Sequence, residues 1–529
     1  MHLMSLEKLE AMTGESSLEN HFAVFRKRII GLDQTFDSPF GRKKIIYADW
    51  TASGRAYRPI EEFIQKEIMP FIGNTHTHTT VTGTFMSKAY EQAKRIIKQH
   101  VNAGEDDALL FCGSGMTAAV NKLQRILGLR VPERAMSYLK NCPESFEWDE
   151  ALPPVVFVTH MEHHSNQVSW LETIATVEII DHDENGNVDL AHFRSLLAQF
   201  KHRKNKIAAV TACSNVTGIQ TPYQEIAKMI HEYGGLCFVD FACSGPYVDM
   251  NMHPAEAGAH LDAIYFSPHK FLGGPGTPGV LVFNEALYQN KVPDQPGGGT
   301  VVYSNPWKVH SYFTSVEQRE DGGTPPFLQA IKAGMCIRLK EAMGVENIRR
   351  REEEILRIIF DRFSKMKNTE VLEGTVKNRL GVISFIVHGA HHDLVTTMLN
   401  DRFGIQTRSG CSCAGTYGHQ LLLVDETRSY EIMNAILAGD LLCKPGWVRL
   451  SIHPTMTNAE VNYIMDAIES TAMRFKEWEK DYAYCAETNE YHFKAFAKNA
   501  AGGVPDWFNV SGWSPHDKFP SKTGLTSIA

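Results

Sequence analysis

A lysine beside a histidine and ahead of a run of glycines is the segment of this sequence that most strongly indicates chemistry. Lys270 lies in residues 267–279 (SPHKFLGGPGTPG), between two apolar segments. Partial desolvation lowers the pKa of a lysine at the end of a buried strand, and glycines let a planar group approach the backbone. The pattern favours a lysine that forms a Schiff base. The alternative is a structural lysine in a Gly-rich hairpin loop.

An acidic residue ends another apolar segment, 30 positions before Lys270. Asp240 stands in residues 239–243 (VDFAC), where a strand buried on both faces would end. An ionised carboxylate at such a place needs a partner. A protonated pyridine nitrogen is one such partner, and pyridoxal phosphate enzymes hold the cofactor ring in this way. The alternative is that Asp240 caps the helix that follows.

Two further segments could complete such a site. Residues 111–120 (FCGSGMTAAV) run from a strand through small residues into a helix, whose free N–H groups and dipole are suited to phosphate. They match neither the Walker A nor the GxGxxG pattern. In residues 162–166 (EHHSN), His163 is suited to stack on a cofactor ring. The alternatives are a structural histidine or a metal site with His164, His76 and His78, although zinc sites more often show other spacings.

A fifth segment holds two cysteines, two positions apart, in a Gly/Ser loop. Residues 407–415 (TRSGCSCAG) contain Cys411 and Cys413. These residues could form a redox pair, bind a metal, or act as a nucleophile and its neighbour. Arg408 would favour the thiolate.

Alternating strand and helix patterns must position these segments. Strands are expected at 44–49, 108–112, 155–159, 177–180, 207–211, 236–240, 263–266 and 280–283, and helices at 60–68, 87–100, 117–127, 165–173, 190–200 and 222–233. This alternation predicts a mostly parallel sheet covered on both faces. After about residue 300, helices at 325–343, 345–367, 394–400 and 458–476 and strands at 381–388 and 446–452 predict a smaller α+β domain. Residues 131–154 are expected to be an irregular insertion.

Composition limits the class of protein. The 529 residues are 43% apolar and 22% charged, with a net charge of −8, so the chain can bury a large core. The sequence has no basic stripe or tail, which argues against nucleic acid and anionic membranes as partners. No run of 18 apolar residues and no secretory signal pattern occurs. Several of the ten cysteines lie in apolar segments, so we expect reduced thiols in a cytoplasmic enzyme.

In order and spacing, these motifs resemble the class V aminotransferase family of fold type I pyridoxal phosphate enzymes, and within it the cysteine desulfurase/selenocysteine lyase branch. The resemblance runs from about Tyr47 to Asp466. It implies an α/β fold with a mostly parallel seven-stranded sheet covered by helices and a smaller α+β C-terminal domain. The expected divisions are an N-terminal segment 1–45 that packs with the small domain, a large cofactor domain 46–310 with the 131–154 insertion, a small domain 311–483 with the cysteine loop 407–415, and a C-terminal extension 484–529.

The resemblance also implies a role for each site residue. Lys270 would hold pyridoxal 5′-phosphate and later move the substrate α-proton, Asp240 would bind the pyridine nitrogen, and His163 would stack on the ring. Further implied cofactor contacts are Asn215 at the ring oxygen, phosphate contacts at Gly115, Met116, Thr117, Ser267 and His269, and Thr324 reaching the partner subunit's phosphate. Substrate contacts are implied for His76, Arg408 and Arg449. Arg449 would bind the substrate carboxylate, and Arg408 would guide that carboxylate or hold the cysteine loop in place.

The implied activity is release of sulfur from L-cysteine, or of selenium from L-selenocysteine, with alanine as the other product. Cys413 would attack the substrate sulfur, and a mobile loop would carry the persulfide to a protein acceptor. The implied assembly is a homodimer with shared active sites and no metal. The alternatives are another class V reaction (aminotransferase, epimerase or lyase) in which Cys413 is not catalytic, and a non-catalytic sulfur carrier or metal binder.

Three residues depart from the family pattern. Cys243 stands where the family usually has Gln, three positions after the pyridine-binding Asp. Trp50 replaces a small polar residue near the substrate. Cys411 adds a second thiol to the cysteine loop. These departures leave the substrate open.

Overall fold

A computed structural model describes residues 17–75, 77–140 and 153–496. The strands are β1 (Thr35–Ser38), β2 (Gly41–Lys44), β3 (Ile46–Tyr47), β4 (Asp107–Cys112), β5 (Val155–Thr159), β6 (Thr176–Ile180), β7 (Lys206–Thr211), β8 (Leu236–Asp240), β9 (Ala263–Phe266), β10 (Gly279–Asn284), β11 (Val301–Ser304), β12 (His310–Tyr312), β13 (Thr369–Val371), β14 (Val382–Val387), β15 (Ile405–Gln406), β16 (Arg408–Gly410), β17 (Trp447–Ser451), β18 (Tyr482–Cys485) and β19 (Glu490–Phe493).

The α-helices surround these strands. They are α1 (Ser17–Arg26), α2 (Arg58–Phe63), α3 (Val81–His100), α4 (Met116–Ile126), α5 (Glu133–Lys140), α6 (His164–Leu171), α7 (Leu190–Gln199), α8 (Tyr223–Glu232), α9 (Val316–Glu320), α10 (Phe327–Met343), α11 (Val345–Phe363), α12 (His392–Phe403), α13 (Gly415–Leu421), α14 (Glu426–Leu437) and α15 (Asn458–Trp478). None of the described helices is both long and apolar enough to cross a membrane.

The large sheet has the order β4-β10-β9-β8-β7-β5-β6. Strands β6, β5, β7, β8 and β9 are parallel, while β10 is antiparallel to both β9 and β4. The expectation of a mostly parallel, seven-stranded sheet is confirmed. Every residue of β5, β7 and β9 is buried, because helices cover both faces. The carboxyl ends of β4, β5, β7, β8 and β9 therefore share one edge, which is where ligands bind in such sheets.

The helices that cover the sheet show the periodicity expected of one buried face. In α8 the buried residues are Ile226, Ala227, Met229 and Ile230, and in α4 they include Ala119, Val120, Leu123 and Ile126. This spacing places apolar side chains on one stripe of each helix. Burial of that stripe against the sheet fixes each helix, and hence the turn that joins it to the preceding strand.

The C-terminal part contains a four-stranded antiparallel sheet in the order β13-β14-β17-β16. Two ion pairs between described residues join α1 to this part: Arg26 pairs with Glu460 at 2.7 Å, and Arg351 pairs with Glu19 at 3.2 Å. Strand β3 pairs with β15 in parallel, and α10 packs along α3. The domain divisions expected from the sequence remain predictions.

One segment differs from its expected character, and the start of another can be described. The 131–154 insertion is not irregular throughout, because α5 occupies Glu133–Lys140. Pro132 before the helix and Glu133 in its first turn favour this start. The C-terminal extension begins as the antiparallel hairpin of β18 and β19. Residues 141–152 and 497–529 lie outside the described residues.

Candidate active site

A cavity of about 220 Å³ opens at the carboxyl edge of the large sheet. Turns that follow β4, β5, β7, β8 and β9 line one side, and β16, β17 and the cysteine loop line the other. The predicted site residues that line it are Gly115, Met116, Thr117, His163, Asn215, Asp240, Ser267, His269, Lys270, Arg408, Cys413 and Arg449. Thr324 does not: it is exposed, in the loop before α10. His76 lies outside the described residues.

Lys270 ends a short 3₁₀ turn, Pro268–Lys270, directly after β9. Desolvation lowers the pKa of its ammonium group, while Cys243 and Asp240 act in the opposite direction. A lysine with a lowered pKa supplies the neutral amine that Schiff-base formation requires.

Gly54 holds the turn that carries Lys270. Its backbone N–H donates to the carbonyl oxygen of His269 at 2.9 Å, and a Cβ at this position would lie 1.9 Å from the carbonyl oxygen of Phe271. Only glycine permits this approach of two backbone segments. Sequence reasoning missed Gly54, because its contact is 215 to 217 positions away.

Asp240 is buried at the end of β8. Desolvation raises its pKa to about 6, whereas a hydrogen bond from the N–H of Ala242 (2.8 Å) and the charge of Lys270 lower it. No helix lies between β8 and β9, a stretch that the structure describes completely, so the hydrogen bond from Ala242 holds a turn, and the alternative of a helix cap at Asp240 is wrong. The carboxylate still lines the cavity, so a cationic group bound there would stabilise its ionised form.

The start of α4 meets the turn after β9. The N–H of Met116 donates to Ser267 Oγ at 2.9 Å, and a Cβ on Gly115 would lie 3.0 Å from that oxygen. Thr117 Oγ1 and Ser165 Oγ lie 2.7 Å apart. Hydroxyl groups and a helix N-terminus thus converge at this end of the cavity, which suits an anionic group.

His163 caps the N-terminus of α6, where Nδ1 accepts from the N–H of Ser165 at 3.0 Å. Desolvation, followed by the charge of Lys270, lowers the pKa of His163 to about 3. The ring is therefore neutral at pH 7, with its proton on Nε2. Among the described residues, neither His163 nor His164 belongs to a group of His, Cys, Asp or Glu side chains close enough to hold a metal ion.

Glu162 fixes the strand ends beneath this histidine. It accepts from Thr159 Oγ1 at 2.7 Å, from the N–H of Thr211 at 2.8 Å and from Asn166 Nδ2 at 2.8 Å. Burial raises its pKa to about 7. These bonds join the ends of β5 and β7, so Glu162 positions the turn that carries His163.

Arg449 and Arg408 face each other on the neighbouring strands β17 and β16. Asp49 lies between them: its Oδ1 is 2.6 Å from Arg449 Nη2, and its Oδ2 is 3.8 Å from Arg408 Nη1. Arg449 Nη1 also donates to the carbonyl oxygen of Asn215 at 3.2 Å. Two guanidinium groups that share one carboxylate leave a net positive charge, which is suited to a second carboxylate. Sequence reasoning gave Asp49 no role.

The cysteine loop is held by contacts from the large sheet. Asn215 Nδ2 donates to the carbonyl oxygen of Ser412 at 2.7 Å, which uses one of its two hydrogens and leaves the other for the contact expected with the cofactor. The N–H of His164 donates to the carbonyl oxygen of Cys413, and the N–H of Gly415 donates to His164 Nε2, both at 2.8 Å. The Cys413 thiol is free and exposed, and Cys411 is half-buried and also free.

Two buried thiols form part of the cavity wall. The Cys213 thiol lies in hydrogen-bond contact with Cys243, a contact that lowers the pKa of Cys243, as does the charge of Lys270. Burial is the main cause of the raised pKa of Cys213. Cys243 was identified from the sequence as a departure, and Cys213 was missed because it reads as a core residue.

The mixed sheet carries a lysine, a buried aspartate and a helix N-terminus at its carboxyl edge, which is the arrangement of fold type I pyridoxal phosphate enzymes. The sequence model of the family described as aminotransferase class-V matches residues 153–464, and the chain belongs to this family.

Relatives and solved structures agree with this assignment. The chain is 28% identical over 387 residues to the "Probable cysteine desulfurase" of Halalkalibacterium halodurans. This alignment covers 72% of this chain and 86% of the relative. It is 27% identical over 383 residues to the protein of the same name in Staphylococcus aureus strain N315, covering 72% and 85%.

The apo cysteine desulfurase of Thermococcus onnurineus superposes with a TM-score of 0.66 at 23% identity, covering 85% of this chain and 98% of that one. The cysteine desulfurase CsdA of Escherichia coli superposes with a TM-score of 0.64 at 19% identity, covering 86% and 98%. At these identities the likeness establishes the fold, and the expected fold class is confirmed.

Proposed function

We propose that this protein is a pyridoxal phosphate-dependent cysteine desulfurase, which releases sulfur from L-cysteine and forms L-alanine. One observation carries the proposal: the exposed, free thiol of Cys413 lines the same cavity as Lys270, Arg408 and Arg449. A thiol, an amine of lowered pKa and a carboxylate site are the groups that this reaction requires. The names of the relatives support the same activity.

The residues fit pyridoxal phosphate on the chemistry of their donors. Asp240 is a buried carboxylate with a raised pKa, which a pyridinium N–H would pair. The hydroxyls of Thr117, Ser165 and Ser267 and the start of α4 would hold the phosphate, since Gly115 leaves no side chain there. The neutral ring of His163 would cover one face of the cofactor ring. When bound, the cofactor withdraws the electron pairs released at the substrate carbons.

The chain's own residues carry out substrate binding, sulfur transfer and proton transfer. Arg449 and Arg408 bind the substrate carboxylate, which places the substrate sulfur toward Cys413. The Cys413 thiolate attacks that sulfur, so an S–S bond forms while the Cβ–S bond breaks and its electron pair stays with the three-carbon fragment. Lys270 removes the α-proton beforehand and later returns a proton to the fragment, which leaves as alanine. A thiol acceptor or an external reductant then removes sulfur from Cys413.

Selenocysteine presents the same carboxylate and amine, so selenocysteine is a second substrate within this proposal. We also propose that a protein thiol accepts the sulfur. The cysteine loop is held by Asn215 and His164, so that acceptor must approach Cys413 at the mouth of the cavity.

A homodimer with shared sites is part of the proposal. Exposed apolar side chains cluster beside α2 and α3, where Phe63 is 50% exposed and the rings of Phe71 and Phe85 stack at 4.9 Å. Covering such a surface in a dimer would stabilise the protein. Thr324, exposed outside its own cavity, would then contact the partner's phosphate. Light scattering of the wild type and of Phe85→Glu tests this, and we expect a dimer and a weakened dimer, respectively.

We further propose a cytoplasmic location. Its support is the set of buried, free thiols Cys112, Cys213, Cys237, Cys243 and Cys336, which fit a reducing compartment.

The decisive experiment compares wild type, Cys413→Ala and Cys485→Ala, each loaded with pyridoxal phosphate. Alanine and sulfide are measured from L-cysteine with a reductant present. We expect both products from wild type and from Cys485→Ala, whose half-buried thiol lies on the C-terminal hairpin. Cys413→Ala should keep the visible absorbance of the bound cofactor and form neither product. If wild type is coloured but inactive with cysteine, another class V reaction replaces this proposal. If Cys413→Ala is fully active, the proposed role of Cys413 as the sulfur-accepting nucleophile is wrong.

A further inference from the structure

A second polar cluster lies at the edge of the large sheet opposite the candidate active site. It consists of His231 near the end of α8, and of His260 and Asp262 in the segment before β9. Asp262 Oδ2 accepts from the N–H of Cys237, near the amino end of β8, at 2.8 Å. The strands β8 and β9 thus separate this cluster, which we call the histidine cluster, from the residues that line the cavity.

The hydrogen bonds of His231 determine where its proton lies. Nδ1 is 2.6 Å from the carbonyl oxygen of Gly258, and a carbonyl oxygen can only accept, so Nδ1 carries a hydrogen. In the neutral ring, Nε2 then presents a lone pair. This lone pair faces Asp262 Oδ2, another acceptor, at 3.0 Å. Two acceptors at this distance require a cation between or on them, either a proton on His231 or a metal ion.

His260 supplies a third ligand atom, which a metal ion can use and a proton on His231 cannot. Its ring stacks on that of His231 with 4.0 Å between centroids and 8° between planes, and its Nε2 is 3.9 Å from Asp262 Oδ1. The two imidazoles therefore place nitrogen atoms near the two oxygens of one carboxylate.

The spacing is close to that of a coordination sphere. Ligand atoms from the three residues lie within 4.8 Å of one another. Metal–ligand bonds of about 2.0–2.1 Å place neighbouring ligands roughly 3.0–3.4 Å apart. The His231–Asp262 pair already has this separation, and His260, whose side chain is 47% exposed, can close the remaining gap.

We propose that the histidine cluster binds one divalent transition-metal ion, such as Zn²⁺, through His231 Nε2, His260 Nε2 and the Asp262 carboxylate, with water completing the sphere. This site is independent of the proposed desulfurase reaction. The ion would join the end of α8 to the amino ends of β8 and β9, the strands whose other ends carry Asp240 and Lys270. Nitrogen and carboxylate ligands of this kind select Zn²⁺, Ni²⁺ or Co²⁺ over Mg²⁺.

A second group of possible ligands in the described residues is a poorer candidate. In the sequence His391–His392–Asp393, Nδ1 of His391 accepts from the N–H of Asp393 at the start of α12. Nε2 of His392 faces the carbonyl oxygen of Lys444 at 3.2 Å. These nitrogens already serve the helix cap and the backbone, so we do not extend the proposal to them.

The test uses full-length Cys413→Ala protein loaded with pyridoxal phosphate, so that the exposed thiol cannot bind the probe. After chelator treatment, Zn²⁺ is titrated against a chromophoric competitor, and Co²⁺ is added separately to record its visible d–d bands. His260→Ala is the main variant, His231→Gln is the second, and His388→Ala, an exposed histidine elsewhere, is the matched control.

We expect one equivalent of Zn²⁺ bound by the parent and by His388→Ala, a tetrahedral Co²⁺ spectrum, and at least about tenfold weaker binding in both cluster variants. Zn²⁺ should also raise the Tm of the parent but not that of His260→Ala. Equal Zn²⁺ affinity in His260→Ala and the parent, or an equal loss in His388→Ala, overturns the proposal and leaves a protonated His231 paired with Asp262. Restoring Cys413 and assaying His260→Ala for alanine formation separates this result from any failure of the proposed function.

Discussion

Asp49 and Arg449, 400 positions apart in the sequence, form a 2.6 Å ion pair in the wall of the candidate active site. Arg449 is almost completely buried, and its Nε has no hydrogen-bond partner. Asp49 thus compensates the charge of a buried guanidinium group. Asp49 therefore orients Arg449, and in the proposed function it would also be a negative charge close to the substrate carboxylate.

Asp49→Asn should tighten binding of the substrate carboxylate. The amide keeps a hydrogen-bond acceptor for Arg449 while it removes a like charge close to the bound carboxylate. Removing such a charge at a partly shielded site raises the affinity for the carboxylate on the order of tenfold. We expect a KM for L-cysteine that is roughly three- to tenfold lower. Steady-state kinetics measure this, with Asp33→Asn, an exposed carboxylate, as the control. A KM that rises instead would show that Asp49 acts mainly by orienting Arg449.

His164→Ala should slow the transfer of sulfur from the substrate to Cys413 without changing substrate binding. The imidazole accepts from the N–H of Gly415, and the adjacent Ser412 and Cys413 have φ angles of 53° and 57°, which non-glycine residues rarely adopt. Loss of one hydrogen bond, about 1 kcal/mol, corresponds to roughly a fivefold lower kcat. Alkylation of Cys413 by iodoacetamide should also change in rate. His202→Ala, on the exposed surface, is the control, and an unchanged kcat and alkylation rate would remove His164 from this role.

The sequence predicts the residues that follow buried strands better than it predicts their partners. Asp240 and Lys270 could be identified because a polar residue at the end of an apolar segment is informative by itself. Asp49 and Gly54 could not, since their roles depend on contacts hundreds of positions away. The contacts that tie His164 to the cysteine loop also arise only when two separate parts of the chain pack together, and the expectation of a mobile loop did not include them.

Helix α5 was missed for a different reason. In the insertion 131–154, proline, asparagine and other polar residues interrupt any long periodic pattern. A helix of only eight residues therefore gives little signal in the sequence. The long apolar strands β5, β7 and β8, in contrast, were predicted within a residue, because continuous apolar segments bounded by turns occur in few other contexts.

Gly54→Ala should weaken cofactor binding from outside the cavity. The added Cβ would lie 1.9 Å from the carbonyl oxygen of Phe271, so the turn that holds Lys270 must move. We expect a Tm lower by several degrees, as for about 1–3 kcal/mol of overpacking, and a pyridoxal phosphate Kd raised at least tenfold in a fluorescence titration. Gly298→Ala, where an added Cβ meets no atom within 4 Å, is the control. Equal Tm and Kd in the two variants would contradict the argument.

Acid should destabilise the protein through histidines that are buried in their neutral form. Desolvation lowers the pKa of His160 to about 4 and that of His453 to about 3, from 6.5 in the unfolded chain. Above pH 6.5 both states are neutral and these groups have no effect. As the pH falls from 6.5 toward 4, only the unfolded chain takes up the protons, so each histidine lowers the free energy of unfolding by up to about 1.4 kcal/mol per pH unit.

His453→Phe tests this dependence while it keeps an aromatic ring against Trp50, which stacks on His453 at 4.0 Å. The variant loses the hydrogen bond to Thr455 Oγ1, which shifts its Tm at every pH alike. The decrease in Tm between pH 7 and pH 5, measured by calorimetry, should be smaller in the variant than in wild type. An equal decrease in the two proteins would mean that His453 is protonated in the folded state or that water reaches its ring.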